Sequence, residues 1–226
     1  MKLDPECRAV CFDMDGTLLD TNVDYSRMTD LILDRLEKEG VPPEILDRNT
    51  GYKLSVDRAL KWAYANKSPE FIQAISDEMA GIVIDLEMEH VDEAKPFPGV
   101  PEMLQKLKDH GYKIGVLTRG TRVYAEAALR IAGVDSYLDA LVARDDFPEN
   151  ESKPSPIAMV HMAEAVGVPT NQITYVGDHK MDYMCSVESS TNFVAVSSGT
   201  FTKANWESVS KDILVLPTCA GIADMI

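Results

Sequence analysis

Short apolar runs rich in Val, Ile and aromatic residues punctuate the chain at AVCF (9–12), YKIGVLT (112–118), YLDALVAR (137–144), ITYVG (173–177), FVAVSS (193–198) and DILVLP (212–217). Continuous runs of this length mark strands buried on both faces of a parallel sheet. Between most of them the apolar positions recur at helical spacing: VPEMLQKLKDHG (100–111), TRVYAEAALRIAG (121–133) and PSPIAMVHMAEAVG (154–167). Each of these segments ends on a glycine, where a helix C-cap is expected. Strands alternating with helices predict an α/β fold, a doubly wound parallel sheet with helices on both faces.

One stretch breaks the rhythm. From residue 21 to 93 the pattern is helical, in YSRMTDLILDRLEKEG, LSVDRALKWAYANK and SPEFIQAISDEMAGIVIDLEMEHV, with almost no strand candidate. The α/β rhythm resumes after AKPFPGVP, a linker marked by Pro96, Pro98 and Pro101. The expected organisation is therefore a core domain of residues 1–20 and 94–226, with a small all-helical domain, 21–93, inserted after the first strand. A chain of 226 residues has room for both.

Composition narrows the function classes. The formal net charge of -15 argues against a nucleic-acid partner, because phosphate backbones select basic surfaces. An acidic protein acting on an anion needs a local cation to attract it. The opening MKLDPECRAV lacks the apolar core of a secretory signal, and no run approaches the length of a membrane span, so no membrane partner is expected. Cys7, Cys11, Cys185 and Cys219 are scattered without metal-ligand spacing, which suits reduced thiols and a cytoplasmic location. Oligomeric state is left between monomer and homodimer.

Chemistry concentrates where strands end. The first strand runs straight into Asp13-Met14-Asp15-Gly16-Thr17. Two carboxylates at the end of a buried strand are costly without a cation or partner, and ligands of open α/β sheets bind at that edge. The strand at 112–118 ends on Thr118 and Arg119. Lys153 opens a helix within ENESKPSPIAMV, and ITYVG ends on Gly177-Asp178, with Asp182 one helical turn further.

These four segments, in this order, resemble the motifs of the haloacid-dehalogenase-like superfamily, within its phosphoglycolate-phosphatase-like and beta-phosphoglucomutase-like group. The likeness rests on DMDGT, a strand-ending Thr, Lys153 with Pro154, and G-D-x-x-x-D, spanning residues 9–20 and 112–182. It implies a Rossmann-like core with a helical cap domain. It also implies a magnesium-dependent phosphatase acting on a small phosphate ester, with Asp13 as nucleophile and Asp15 as general acid and then base. Thr118 and Lys153 would bind the phosphoryl group. Arg119 stands where Asn is the commoner companion, and either adds positive charge near the phosphate or faces solvent. The Mg2+ ligand set would be Asp13, the Asp15 backbone carbonyl and Asp178, with Asp182 ligating or orienting the shell from just outside.

A sugar phosphomutase shares every core motif and is the alternative. A dehalogenase is disfavoured because Asp15 is present, and a receiver domain would lack the helical insert. The four histidines, His90, His110, His161 and His179, read as surface residues, and Trp62 and Tyr64 as core. Thr50-Gly51-Tyr52-Lys53 reads as a loop between helices of the insert, and Lys53 or Arg58 as possible readers of substrate.

Overall fold

The computed structural model describes residues 2–47 and 52–226. Six parallel strands form the main sheet: β1 (Ala9–Phe12), β4 (Lys113–Leu117), β5 (Ala140–Val142), β6 (Ile173–Gly177), β7 (Asn192–Val196) and β8 (Val215–Leu216), in the order β5-β4-β1-β6-β7-β8. From β1 the chain builds outward through β4 and β5, then returns to the other side of β1 for β6, β7 and β8. This reversal is the topological switch that opens a crevice at the carboxyl edge of the central strands. β1 is buried along its whole length because it has a neighbour on each side and is covered on both faces. That is why its sequence is a continuous apolar run rather than an alternation.

The helices of this unit are α4 (Val100–Asp109), α5 (Arg122–Ile131), α6 (Ile157–Val166), α7 (Lys180–Glu188) and α8 (Lys203–Val209). The expected helices stop just before Gly111, Gly133 and Gly167; β1 and β6 match the apolar runs that announced them, while β4, β5, β7 and β8 are shorter than theirs. Tyr137, the first residue of YLDALVAR, for instance, ends a 3-10 turn over 135–137, and β5 begins only at Ala140. Met159, Met162 and Val166 of α6 pack with Cys11, Leu117 and Tyr175 of the sheet. Two residues of β2 (Leu19–Asp20) pair antiparallel with β3 (Lys95–Pro96), joining the points where the chain leaves the core and re-enters it. That small ribbon and α8 were not evident from the sequence pattern.

The chain divides into two compact units, one running to Asn22 and resuming at Val91–Ile226, the other Val23–His90. The second contains α1 (Tyr25–Lys38), α2 (Tyr52–Asn66) and α3 (Pro69–Met88). Its core takes Met28, Ile32, Leu33 and Leu36 from α1, Ala59 from α2, and Ile75, Met79, Val83 and Leu86 from α3. These fall at the three- and four-residue spacing that lines one face of a helix. Asp24 caps α1 through the Arg27 amide at 2.8 Å, and Ser68 caps α3 through the Phe71 amide at 3.3 Å. Trp62 packs against this core, as expected, but Tyr64 is 72% exposed, because its position on α2 faces away from the apolar stripe. Tyr52 and Lys53 are the first two residues of α2 rather than loop, while Thr50 and Gly51 lie outside the described residues. Arg58 is exposed on α2. Among the described residues no helix is long and apolar enough to cross a membrane.

Candidate active site

Strand register gathers the predicted residues. Phe12 is level with Val116 of β4 and Val176 of β6, so Asp13 emerges beside the ends of both neighbours. Thr118 follows β4, and Asp178 follows β6. The Asp13 amide still bonds the Val176 carbonyl at 2.8 Å, which extends the ladder one residue and aims the side chain off the sheet edge.

Asp13, Lys153, Asp178 and Asp182 are all buried. Lys153 Nζ donates to Asp13 Oδ1 at 2.6 Å, to Asp182 Oδ1 at 2.8 Å and to the Tyr175 hydroxyl at 2.9 Å. An ammonium has three hydrogens, and these partners account for three directions. Burial opposes the charge on Lys153, but Asp13 and Asp182 outweigh it and hold the ammonium above the ordinary lysine range. For Asp13 burial is the largest influence. Lys153 pulls the other way, but Asp182 and Asp178 add to the burial effect, and the carboxyl is pushed well above the usual aspartate range.

Asp178 is fixed from two sides. Thr17 Oγ1 donates to its Oδ1 at 3.3 Å and the Thr200 amide to its Oδ2 at 2.5 Å. Asp182 sits in the first turn of α7, where its Oδ2 accepts the His179 amide at 3.0 Å and closes a capping box. Its Oδ1 accepts from Lys153 and lies 3.3 Å from the Tyr175 hydroxyl. Asp182 is thus bound on both oxygens to the protein itself. Asp15 is half-buried and takes its hydrogen bonds from residues outside this cluster. Its Oδ1 accepts the Tyr124 hydroxyl at 2.6 Å and Thr21 Oγ1 at 2.7 Å. Burial raises its pKa, against the pull of those two hydrogen bonds.

Thr118 is buried, and its Oγ1 accepts the Gly120 amide at 2.9 Å, which leaves its hydroxyl hydrogen as the group's donor. Arg119 reaches the loop of Lys153 instead of standing free. Its Nη1 donates to the Lys153 carbonyl at 2.8 Å, and its Nη2 lies 3.5 Å from Glu149 Oε1. Two of the four histidines depart from the surface expectation. His161 is half-buried against Glu151 at 2.7 Å and stacked on Phe147, and His179 is half-buried as the N-cap of α7.

The carboxylates of Asp13, Asp178 and Asp182 each offer an oxygen within 4.8 Å of the others. Three buried carboxylates beside one ammonium leave negative charge in excess; burial first, and then Asp182 and Asp178, push the Asp13 carboxyl up against the pull of Lys153. An all-oxygen donor set with that excess fits a hard divalent cation such as Mg2+. Asp13 and Asp178 are the better ligands, because Asp182 is spent on Lys153, Tyr175 and its own helix.

Sequence reasoning missed three contributors. Tyr175 supports Lys153 from β6 and donates to the Leu117 carbonyl at 2.9 Å; a tyrosine in a fully buried strand, where its hydroxyl needs a partner, was the available signal. Tyr124 on α5 gave no signal beyond its helical position. The third is the loop after β7. Ser198 Oγ donates to the Gly16 carbonyl at 2.7 Å and Thr200 to Asp178, so this segment closes over both acidic turns. Gly16 takes φ +76, and a Cβ there would lie 2.9 Å from both Asp178 Oδ2 and Gly199 Cα. Applying the strand-end rule to FVAVSS would have pointed to this loop.

The family profile described as haloacid dehalogenase-like hydrolase matches residues 10–196. A phosphoglycolate phosphatase from Neisseria meningitidis is 25% identical over 195 residues, which cover 85% of this chain and 81% of that protein. Another protein of the same name, from Caulobacter vibrioides, is 27% identical over 212 residues, 91% of this chain and 85% of the relative. Among solved structures, the beta-phosphoglucomutase of Clostridium difficile superimposes with a TM-score of 0.66 at 20% identity, covering 96% of this chain and 93% of that one.

Proposed function

The chain belongs to the haloacid dehalogenase-like hydrolases, and from that membership and the core geometry we propose a magnesium-dependent phosphatase that hydrolyses a small phosphorylated metabolite through a phosphoaspartate at Asp13. The observation that carries the reading is the contact of Asp13 with Lys153 at 2.6 Å, on the central strand of the switch point and beside Asp178. Lys153 favours the ionised, nucleophilic form of Asp13 against burial and its acidic neighbours, a pull that a divalent cation would complete, and sets positive charge where a phosphoryl dianion arrives.

In the first step an Asp13 carboxylate oxygen attacks phosphorus, the bond to the leaving oxygen breaks, and that oxygen takes the proton from Asp15. In the second, water attacks phosphorus and passes a proton to Asp15, the bond to Asp13 breaks, and inorganic phosphate leaves. Asp15 suits both steps because burial favours its protonated form while two hydroxyls still support the anion. The Thr118 hydroxyl donates to a phosphoryl oxygen. Arg119 acts at a distance from the phosphate, by tethering the backbone of Lys153. Asp13, Asp178 and the Asp15 backbone carbonyl would hold Mg2+, which would supply Lewis-acid charge to the transferring group. Asp182 orients Lys153 and Tyr175.

In the same reading the helical insert, 21–93, selects the leaving group, because the core supplies only phosphoryl chemistry. The relatives named phosphoglycolate phosphatase make 2-phosphoglycolate the first compound to assay. The phosphomutase alternative draws on a likeness of fold alone and gains no further support. Phosphate release from 2-phosphoglycolate and p-nitrophenyl phosphate, with Mg2+ and with chelator, tests the proposal. Acid-quenched samples should carry a phosphoryl group on Asp13 by mass spectrometry. Full turnover in chelator would remove the metal, and an unmodified Asp13 under turnover would remove the covalent step.

A further inference from the structure

Both hydroxyls that reach Asp15 converge on one oxygen. Tyr124 donates to Oδ1 at 2.6 Å and Thr21 at 2.7 Å. A carboxylate oxygen has two lone-pair sites, so Oδ1 is saturated by two donors, and a proton placed on it would face two hydroxyl hydrogens. The proton of the acid form therefore belongs on Oδ2. Thr21 alone would hold the group loosely, since it is half-buried in a short segment beyond β2. Tyr124 is different: it is 1% exposed, in the first turn of α5, with only two side-chain torsions.

The ring is also wedged against the loop that carries Thr118. A Cβ at Gly120 would lie 2.8 Å from Tyr124 Cδ1 and 3.2 Å from Cε1, so the ring rests directly on that backbone. One rigid side chain thus links the Thr118 turn to the Asp15 carboxyl. We infer that Tyr124 is a positioning residue for proton transfer: with Thr21 it anchors Oδ1 of Asp15 and leaves Oδ2 as the oxygen that hands the proton to the leaving group. This inference rests on the acid–base role proposed for Asp15. Tyr124 itself touches no reacting atom.

A misplaced acid harms poor leaving groups most, because a good leaving group departs with little help from a proton. The test is kcat/KM for the full-length protein with Mg2+ across phosphate monoesters running from p-nitrophenyl to simple alkyl. In Tyr124→Phe the alkyl esters should lose about tenfold, a fraction of the total worth of a general acid, and p-nitrophenyl phosphate only about twofold. The dependence on leaving-group pKa steepens. An equal loss across the series would mean that the hydroxyl serves packing alone, and no loss anywhere would mean that it serves nothing; either result overturns the inference. Thr21→Val removes the other donor and should steepen the series in the same sense, which keeps the test decisive if the phenylalanine variant folds poorly. Asp15→Asn runs alongside. A uniform loss in that variant would sink the acid–base role of Asp15 itself, whereas steepening there with none in Tyr124→Phe sinks only the role of Tyr124.

Discussion

A methyl group at position 199 has nowhere to go. Built on the Gly199 backbone it would press on Asp178 Oδ2, 2.6 Å from Asp178 Cγ and 2.8 Å from Gly16 Cα. Gly16 cannot yield, because it is itself backbone in a left-handed turn held to Ser198. The carboxylate of Asp178 must move instead, and moving it strains or breaks its bond to the Thr200 amide. Overpacking and the loss of a hydrogen bond to a charged group each cost about 1–3 kcal/mol, and relief of one incurs the other, so the expected loss is about 1–3 kcal/mol rather than their sum. For a chain of this size that corresponds to a melting temperature lower by about 2–12 °C. The displaced carboxylate should also weaken Mg2+ binding by about tenfold, equivalent to about 1.4 kcal/mol. Gly81→Ala is the control: nothing lies within 4 Å of a Cβ there, in the middle of α3, and it should stabilise by about 0.5–1 kcal/mol. Differential scanning fluorimetry and calorimetric titration with Mg2+ read both quantities. Unchanged melting with Mg2+ affinity within about twofold of the parent protein would refute the argument that the 197–202 loop restrains Asp178.

Asp13→Asn should abolish turnover while leaving melting close to that of the parent, since shape is kept and a nucleophile lost; retention of more than a few per cent of activity would end the covalent mechanism. Asp178→Asn should raise the Mg2+ concentration needed for half-maximal rate by about tenfold or more, and Ca2+ should inhibit the parent protein, because it accepts looser coordination than Mg2+. Asp139 offers a test of stability away from the site. Burial pushes its carboxyl up, but the Ile114 amide, Lys113 and Lys108 outweigh that and hold it below the usual range. A depressed folded-state pKa stabilises fully above the unfolded value of about 3.9 and fades as pH falls through the lower folded value. Asp139→Asn should therefore cost about 1–2 kcal/mol at neutral pH, with the gap to the parent closing in strong acid; a gap independent of pH would contradict the electrostatic account. If the insert selects the leaving group, Lys53→Ala or Arg58→Ala should lower kcat/KM for the natural substrate more than for p-nitrophenyl phosphate, and equal losses would count against that role.

The alternation of buried runs and amphipathic segments determined the α/β class, and the run of helix after the first strand determined the insert, because burial demands that sequence period match element period. The positions of Asp13, Asp15, Thr118 and Asp178 were equally legible, because polar residues placed abruptly at the ends of apolar strands mark the edge where this kind of sheet binds ligands, while Lys153 was legible from its Lys-Pro context ahead of a helix. Register brought Asp13, Thr118 and Asp178 to one edge, but register is a property of paired strands and is not written in any one of them. Arg119 shows the limit most clearly. Its type and place suggested either phosphate or solvent, and only the path of the 149–153 loop showed that the Lys153 carbonyl was waiting for it. The pairing of Leu19 and Asp20 with Pro96 and Lys95, the Tyr124 hydroxyl on Asp15, and the closure of Ser198, Gly199 and Thr200 over Gly16 and Asp178 have the same character. Each joins residues distant in sequence through a few hydrogen bonds or a close approach. Hydrophobic period fixes what is buried, whereas directional contacts depend on where the chain returns, and that is decided by the packed whole.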